Sequence, residues 1–332
     1  MKRFSVILIA LCLSLTLAAP VLFAQSGKAL SGKLVLYTGN GTEITDPLLA
    51  AFKKVYPNIQ VEIVKAGSGE LLARIRAEKG NPGGDILWGG EPLIFETDSA
   101  LFEPYDSPAD KAMVRQDPKN IWHLWSFMAQ AILVNTNLMK NPADWPKTIK
   151  ELADPKWQKY GKISLADPNK SGTGATLVNG FASLYGWDFV TNLLKNCEIA
   201  PGSDQMFAAV KDGANAIGFM NEDLGVKWEQ MGLPVKMIFP ADGITNTLDA
   251  SAIIAGAKNR ENARAFIDWV GSKEAHQILS SVILRRSCRT DIAPPPGLID
   301  LSKYKLVVMA NLTRDQIKMN FNESLEKARG SR

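Results

Sequence analysis

The sequence predicts an α/β protein made of two units, each a mostly parallel sheet covered by helices. Three observations carry this expectation. Apolar strand-like segments alternate with helix-period segments from Lys33 onward, and the alternation restarts after about residue 130. Setting aside an export-type N-terminus leaves about 308 residues, more than one hydrophobic core usually organises.

The first unit reads β-α-β-α-β. "KLVLYT" (33–38) is a strand, and the helix after it carries Leu48, Ala51, Phe52 and Val55 on one face. "VEIV" (61–64), "GELLARIRAEK" (69–79) and "DILW" (85–88) continue the alternation. The second unit opens with "AILVN" (131–135) and "KISL" (162–165), passes through a helix from about Gly174, and returns to strands at "NAIGFM" (215–220) and "VKMIF" (235–239). A strand at "DASAIIAG" (249–256) leads into helices around "ENARAFIDWV" (261–270) and "KEAHQILSS" (273–281). No low-complexity linker separates the units, so short strand crossings near residues 130 and 245 are expected to join them. "APPPGL" (293–298) reads as a stiff surface connection before a C-terminal helix whose apolar positions begin near Ile317. Alternating units of this kind form parallel sheets that bind ligands at the carboxyl ends of their strands.

At the N-terminus, Lys2 and Arg3 precede an apolar run from Ser5 to Leu22 and a small residue, Ala24, which is the pattern of a cleaved secretory signal over residues 1–24. No second run of ~18 apolar residues follows, so a soluble, exported protein is expected. Cys12 lies within this segment behind Leu11, where lipoprotein signals carry a small residue. Without Lys2 and Arg3 the basic count falls from 38 to 36 against 34 acidic residues, which excludes the electrostatic footprint of a nucleic-acid binder. Cys197 and Cys288 remain, and an oxidising compartment permits a disulfide between them without requiring it.

Three loops share one chemistry. "TGNGTE" (38–43), "KAGSGE" (65–70) and "NKSGTG" (169–174) each lead from a strand end into a helix. Glycine permits close backbone approach, and the first N–H groups of a helix lack internal partners, so these junctions offer donors and partial positive charge to an anion. The expected contacts are Thr38, Gly39, Asn40, Gly41 and Thr42, then Ser68, Gly69 and Glu70, then Ser171, Gly172, Thr173 and Gly174, with Thr176 as a further hydroxyl. Taken singly, Ser68 and Ser171 read as helix caps; recurrence at equivalent strand ends shifts the balance toward a shared site. Glu70 suits its helix dipole but not an anion, so the second loop is also suited to a sugar hydroxyl or an amine.

Trp88 stands at a strand end before Gly89 and Gly90, where its ring is expected to stack on a ligand or to pack in the core. "WHLWSF" (122–127) reads as packing, and Gln130 sits at the expected crossing, where its amide can reach a cleft. "FMNEDLG" (219–225) ends a strand in Glu222 and Asp223, which are expected to bind sugar hydroxyls, an ammonium group or a metal, with Asp249 a weaker candidate of the same type. No GxSxG elbow, GxxxxGK[ST] loop or HExxH motif occurs, and "GNGTEI" lacks the third glycine of a dinucleotide fingerprint. His123 and His276 read as a packed and an exposed residue, leaving catalysis without a visible centre.

With "LVLYTGNGTE", "VEIVKAGSGELLARIRAEKGNPGGDILWGG", "ELADPKWQKYGKISLADPNKSGTGAT" and "NARAFIDWVGSKEAHQIL", the chain resembles the periplasmic solute-binding proteins of ABC importers, in the group of ferric-iron, aminoethylphosphonate and hexose-phosphate binders. The resemblance implies a two-lobed type II periplasmic binding fold, each lobe a doubly wound, mostly parallel sheet, with the ligand cleft between. Lobe one would combine 33–130 with 248–300, and lobe two 131–247 with 301–332. The iron-binding members use a His in the first loop, a Glu after the third strand and a Tyr pair at a second-lobe strand end. Here those positions hold Gly41, Gly90, and Glu222 with Asp223, so simple iron binding is disfavoured. The resemblance therefore implies a periplasmic monomer, without cofactor or resident metal. It would capture an anionic organophosphate such as a hexose phosphate by lobe closure and deliver it to an inner-membrane permease. Glu222 would then help to select among phosphate-bearing ligands. Aminoethylphosphonate and ferric iron are the alternatives, and an exported hydrolytic enzyme a distant one.

Overall fold

The computed structural model describes residues 30–330, so the expected signal segment and Cys12 lie outside the described residues. The first half of the chain forms β1 (Gly32–Thr38), α1 (Thr42–Val55), β2 (Ile59–Lys65), α2 (Ser68–Ala77), β3 (Ile86–Trp88), α3 (Pro92–Thr97), β4 (Phe102–Glu103) and β5 (His123–Asn135). It continues through β6 (Ile163–Ala166), α4 (Gly172–Tyr185), α5 (Trp187–Leu194), β7 (Cys197–Ala200), α6 (Ser203–Lys211), β8 (Ile217–Asn221), α7 (Glu222–Gln230) and β9 (Val235–Ile238). β10 (Thr245–Ile254), α8 (Arg260–Val270), α9 (Lys273–Ile278) and α10 (Arg314–Gly330) complete it.

Period-two alternation in β1 divides the first lobe into two cores. Leu34 and Leu36 point to one face, where they meet Phe52 of α1 and Phe266 of α8, while Val35 and Tyr37 point to the other, against Leu72 and Ile75 of α2 and Phe95 of α3. Burial on both faces explains why the strand reads as a continuous apolar run. The second lobe has its own core, in which Leu133, Leu165 and Phe219 pack under Phe181 and Val178 of α4, closed by Ile317 and Phe321 of α10.

The two sheets expected from the sequence are one. The strand order is β2-β1-β3-β10-β5-β8-β6-β7, with β4 on β10 and β9 on β5. β1 is parallel to β2 and β3, and β6 to β7 and β8, whereas β5 and β10 run antiparallel to each other and to their flanking strands. The physical reason is length. β5, at 13 residues, absorbs residues 123–127 of the aromatic stretch and "AILVN", and so pairs with β10 in one lobe and with β8 and β9 in the other. Gln130 pairs with Thr245 at this crossing. Cys197 and Cys288 are both free and buried, and they belong to the second-lobe core and a first-lobe core respectively, so no bridge joins them.

Candidate functional site

Between the lobes lies a cavity of about 490 Å³. Five helices of nine residues or more start at its wall, since it is lined by the capping residues Gly41 (α1), Gly67 (α2), Ser171 (α4), Gly202 (α6) and Asn221 (α7). Only Ser171 closes its own helix, its Oγ accepting the Gly174 N–H at 3.1 Å; the other four make no side-chain cap. Each helix start carries roughly half a positive elementary charge and unpaired N–H donors, so these junctions suit an anion, while Glu43, Glu70, Glu91, Asp204 and Asp249 add acceptors elsewhere on the wall.

The three glycine loops meet here. From the first, Gly39, Asn40 and Gly41 line the cavity. Thr38 Oγ1 lies behind them, donating to the Trp88 carbonyl at 2.7 Å and accepting from the Asn40 backbone at 3.1 Å, so it shapes the loop and stays off the wall. Thr42 is exposed and turns away; Glu43 and Ile44, one helical step further, take its place. Ser68 and Glu70 line the cavity from the second loop, and Ser171, Gly172 and Thr173 from the third, joined by Thr176. Gly69 and Gly174 do not line it. Gly69 donates its N–H to the Lys170 carbonyl of the opposite lobe at 3.3 Å, and Gly174 packs on the Ala166 carbonyl, which an added Cβ would approach to 2.4 Å. The lobes also touch through Thr176 Oγ1 donating to Glu91 at 2.5 Å and through Lys65 paired with Asp204 at 2.8 Å.

Gly89 and Gly90 line the cavity with positive φ values of 117° and 153°, conformations that exclude most side chains. The Gly90 N–H donates to Asp249 at 2.6 Å. Asp249 lines the same wall beside a register break in the β5–β10 ladder, where the extra residue is Trp125. Burial pushes the Asp249 carboxyl up to about 7; the Gly90 N–H and Arg285 oppose the rise and Glu91 adds to it.

Four further expectations are corrected. The Trp88 ring is wholly buried between Trp125 and Phe266, at centroid distances of 5.5 and 5.2 Å, because strand alternation turns it toward α8 and leaves only its carbonyl near the first loop. Gln130 sits in the crossing beneath the cavity, 1% exposed and off its wall. Glu222 is occupied by Arg286, which donates to its two oxygens at 2.5 and 3.0 Å, and burial still raises its pKa. Asp223 accepts from Arg285 Nε at 2.8 Å with both side chains almost fully buried. The acidic pair is therefore neutralised by the protein itself. Both arginines follow a π-helical turn over Leu279–Ile283 and Leu284, whose φ of 67° bends the chain into the cleft.

The sequence reading missed Arg285, Glu91 and the segment Pro201–Gln205, all of which line the cavity. "PGSD" at 201–204 repeats the strand–Gly–Ser–helix chemistry of the other loops, and it passed unnoticed because β7, only four residues long, was not read as a strand. Among the described residues, no group of three or more His, Cys, Asp or Glu is placed to hold a metal ion.

Residues 93–291 match the model of the bacterial extracellular solute-binding protein family. The periplasmic binding protein AfuA of Actinobacillus pleuropneumoniae, solved with exogenous fructose-6-phosphate bound, matches with a TM-score of 0.80 and 27% identity, covering 90% of this chain and 99% of that one. An uncharacterized protein of Haemophilus influenzae is 28% identical over 321 residues, 90% of each chain. The "Probable ABC transporter periplasmic-binding protein y4fP" of Sinorhizobium fredii is 26% identical over 275 residues, 77% of this chain and 74% of its own. Other relatives are named for iron uptake in Synechocystis and, provisionally, for 2-aminoethylphosphonate binding in Salmonella. With more than half of its length matched, the chain belongs to the bacterial extracellular solute-binding proteins, the non-enzymatic components of ABC importers that capture a solute for the membrane permease.

Proposed function

We propose that the solute is an anionic organophosphate, most simply a sugar phosphate, held between the lobes in the periplasm after removal of residues 1–24. The observation that carries this reading is the convergence of five helix N-termini, four without side-chain caps, on one cavity. Such a wall favours phosphoryl oxygens over neutral groups. Glu70, Glu91 and Asp249 on the same wall are acceptors for sugar hydroxyls, which a bare phosphate does not offer. The fructose-6-phosphate in AfuA points the same way. Ferric iron is served poorly, because Glu222 and Asp223 are spent on arginines.

In this reading both lobes supply donors, α1 and α2 from the first and α4, α6 and α7 from the second. Solute that touches both lobes stabilises the closed arrangement by its additional contacts there, and no bond in the solute changes. The closed form is what the permease would read, and a monomer suffices.

The test is native mass spectrometry of protein purified without refolding, followed by calorimetric titration with glucose 6-phosphate, aminoethylphosphonate and ferric citrate. A co-purifying sugar phosphate that binds with micromolar or tighter Kd is the expected result. Binding of ferric citrate with no response to either phosphorus compound would overturn the proposal.

A further inference from the structure

Behind the seam of the second and third glycine loops lies a cation that the contacts described so far leave unused. α10 opens with a reciprocal capping box, in which Gln316 N donates to Thr313 Oγ1 at 3.3 Å and Thr313 N donates to Gln316 Oε1 at 2.8 Å. This cap holds the first turn of α10 in place, and the next residue, Arg314, is 5% exposed. Its Nε, Nη1 and Nη2 are all buried and none has a hydrogen-bond partner. The carboxylates of Glu91, Asp315 and Asp167 act on it through space without bonding to it.

The position of the guanidinium follows from the glycines. A Cβ on Gly69 would stand 3.3 Å from Nη2, and one on Gly172 would stand 4.0 Å from Nη1. Arg314 thus lies where the N-termini of α2 and α4 cross, separated from the cavity by residues without side chains. Ser68 Oγ, which lines the cavity, is at the same seam: a Cβ on Gly172 would stand 2.6 Å from it, and it too is buried without a partner. Two helix starts, an unpaired hydroxyl and an unpaired guanidinium therefore converge from two lobes.

Burying a guanidinium with none of its N–H donors hydrogen-bonded is unfavourable even with carboxylates nearby, and its planar fork of N–H donors matches the oxygens of a phosphoryl or carboxylate group. An anion at the seam supplies what Arg314 lacks. We propose that Arg314 is the cation that receives the solute's anionic group, and that this contact, made from the second lobe onto a group also held by Ser68 of the first, ties capture to closure. The inference rests on the organophosphate reading for the identity of the anion.

The experiment compares wild type, Arg314→Met and Arg314→Lys by calorimetry and thermal melting with glucose 6-phosphate, inorganic phosphate and neutral glucose. Arg314→Met should bind the phosphate-bearing probes at least tenfold more weakly while its solute-free Tm stays at or above that of wild type, because an unpaired charge has been removed. Arg314→Lys should lie between the two in affinity. Equal binding by wild type and Arg314→Met overturns the role of Arg314 alone, as does a drop in solute-free Tm with an unchanged solute-induced Tm shift, or an equal loss in both variants. A wild type that binds neither phosphate compound overturns the organophosphate reading, and the phosphoryl role of Arg314 with it.

Discussion

Replacing Gly67 with alanine probes closure without removing a polar group. Gly67 has φ −62° and ψ 147°, which any L-residue adopts, so the backbone of the first lobe bears no strain from the change. The added Cβ would stand 2.2 Å from the carbonyl oxygen of Lys170 and 3.0 Å from its carbon, both on the opposite lobe. Regaining ordinary contact of about 3.5 Å requires the loops to part by roughly 1 Å. That motion also stretches the Gly69 to Lys170 hydrogen bond, already 3.3 Å long. Overpacking of this kind costs about 1–3 kcal/mol, and here the cost falls on the closed arrangement alone, so Kd for the solute should rise about 5- to 150-fold. Calorimetry measures the affinity, small-angle scattering the solute-induced compaction, and the solute-free Tm serves as control. Gly174→Ala is the contrasting variant, because its clash with the Ala166 carbonyl lies inside one lobe and should lower Tm. A Gly67→Ala protein with Kd within twofold of wild type and normal compaction would refute the view that the two loops must touch for capture.

Two further outcomes follow from the buried carboxylates. Because the Asp249 carboxyl is pushed from 3.8 up to about 7, the folded state holds its proton more tightly than the unfolded chain; the resulting stabilisation is complete below about pH 4 and is lost as pH rises through about 7, at up to about 1.4 kcal/mol per pH unit. Asp249→Asn lacks this titration, so its stability relative to wild type should improve from pH 4 to 7; parallel melting curves across that range would contradict the assignment. Glu222→Gln leaves Arg286 without its charged partner at a nearly buried site and should cost about 3 kcal/mol in chemical denaturation while leaving solute preference unchanged. A changed preference at full stability would return Glu222 to the cleft wall.

How much of the site could be read depended on how far the chemistry reached along the chain. Gly39, Gly41, Ser68, Ser171 and Thr173 were legible because a strand end, a glycine and a helix start lie within a few residues of one another, and that pattern is local. The fate of Glu222 and Asp223 was not, since their partners Arg286 and Arg285 lie 64 and 62 residues away, and a carboxylate's role depends on what neutralises it once buried. Trp88 shows the same limit for an apolar group, because its residue type is compatible with either face of the strand and only packing against Trp125 and Phe266 selects one.

By itself, then, the sequence determined the alternation of strands and helices, the two-lobed α/β class and three of the anion-type loops, each a matter of backbone preference and period over short windows. Only the tertiary structure decided that β5 and β10 join both lobes in one sheet, that the tandem arginines silence the acidic pair, and that Arg314 is brought from the last helix to the seam of two loops lying more than 140 residues before it. Those outcomes depend on desolvation and on contacts between distant segments, which no local pattern encodes.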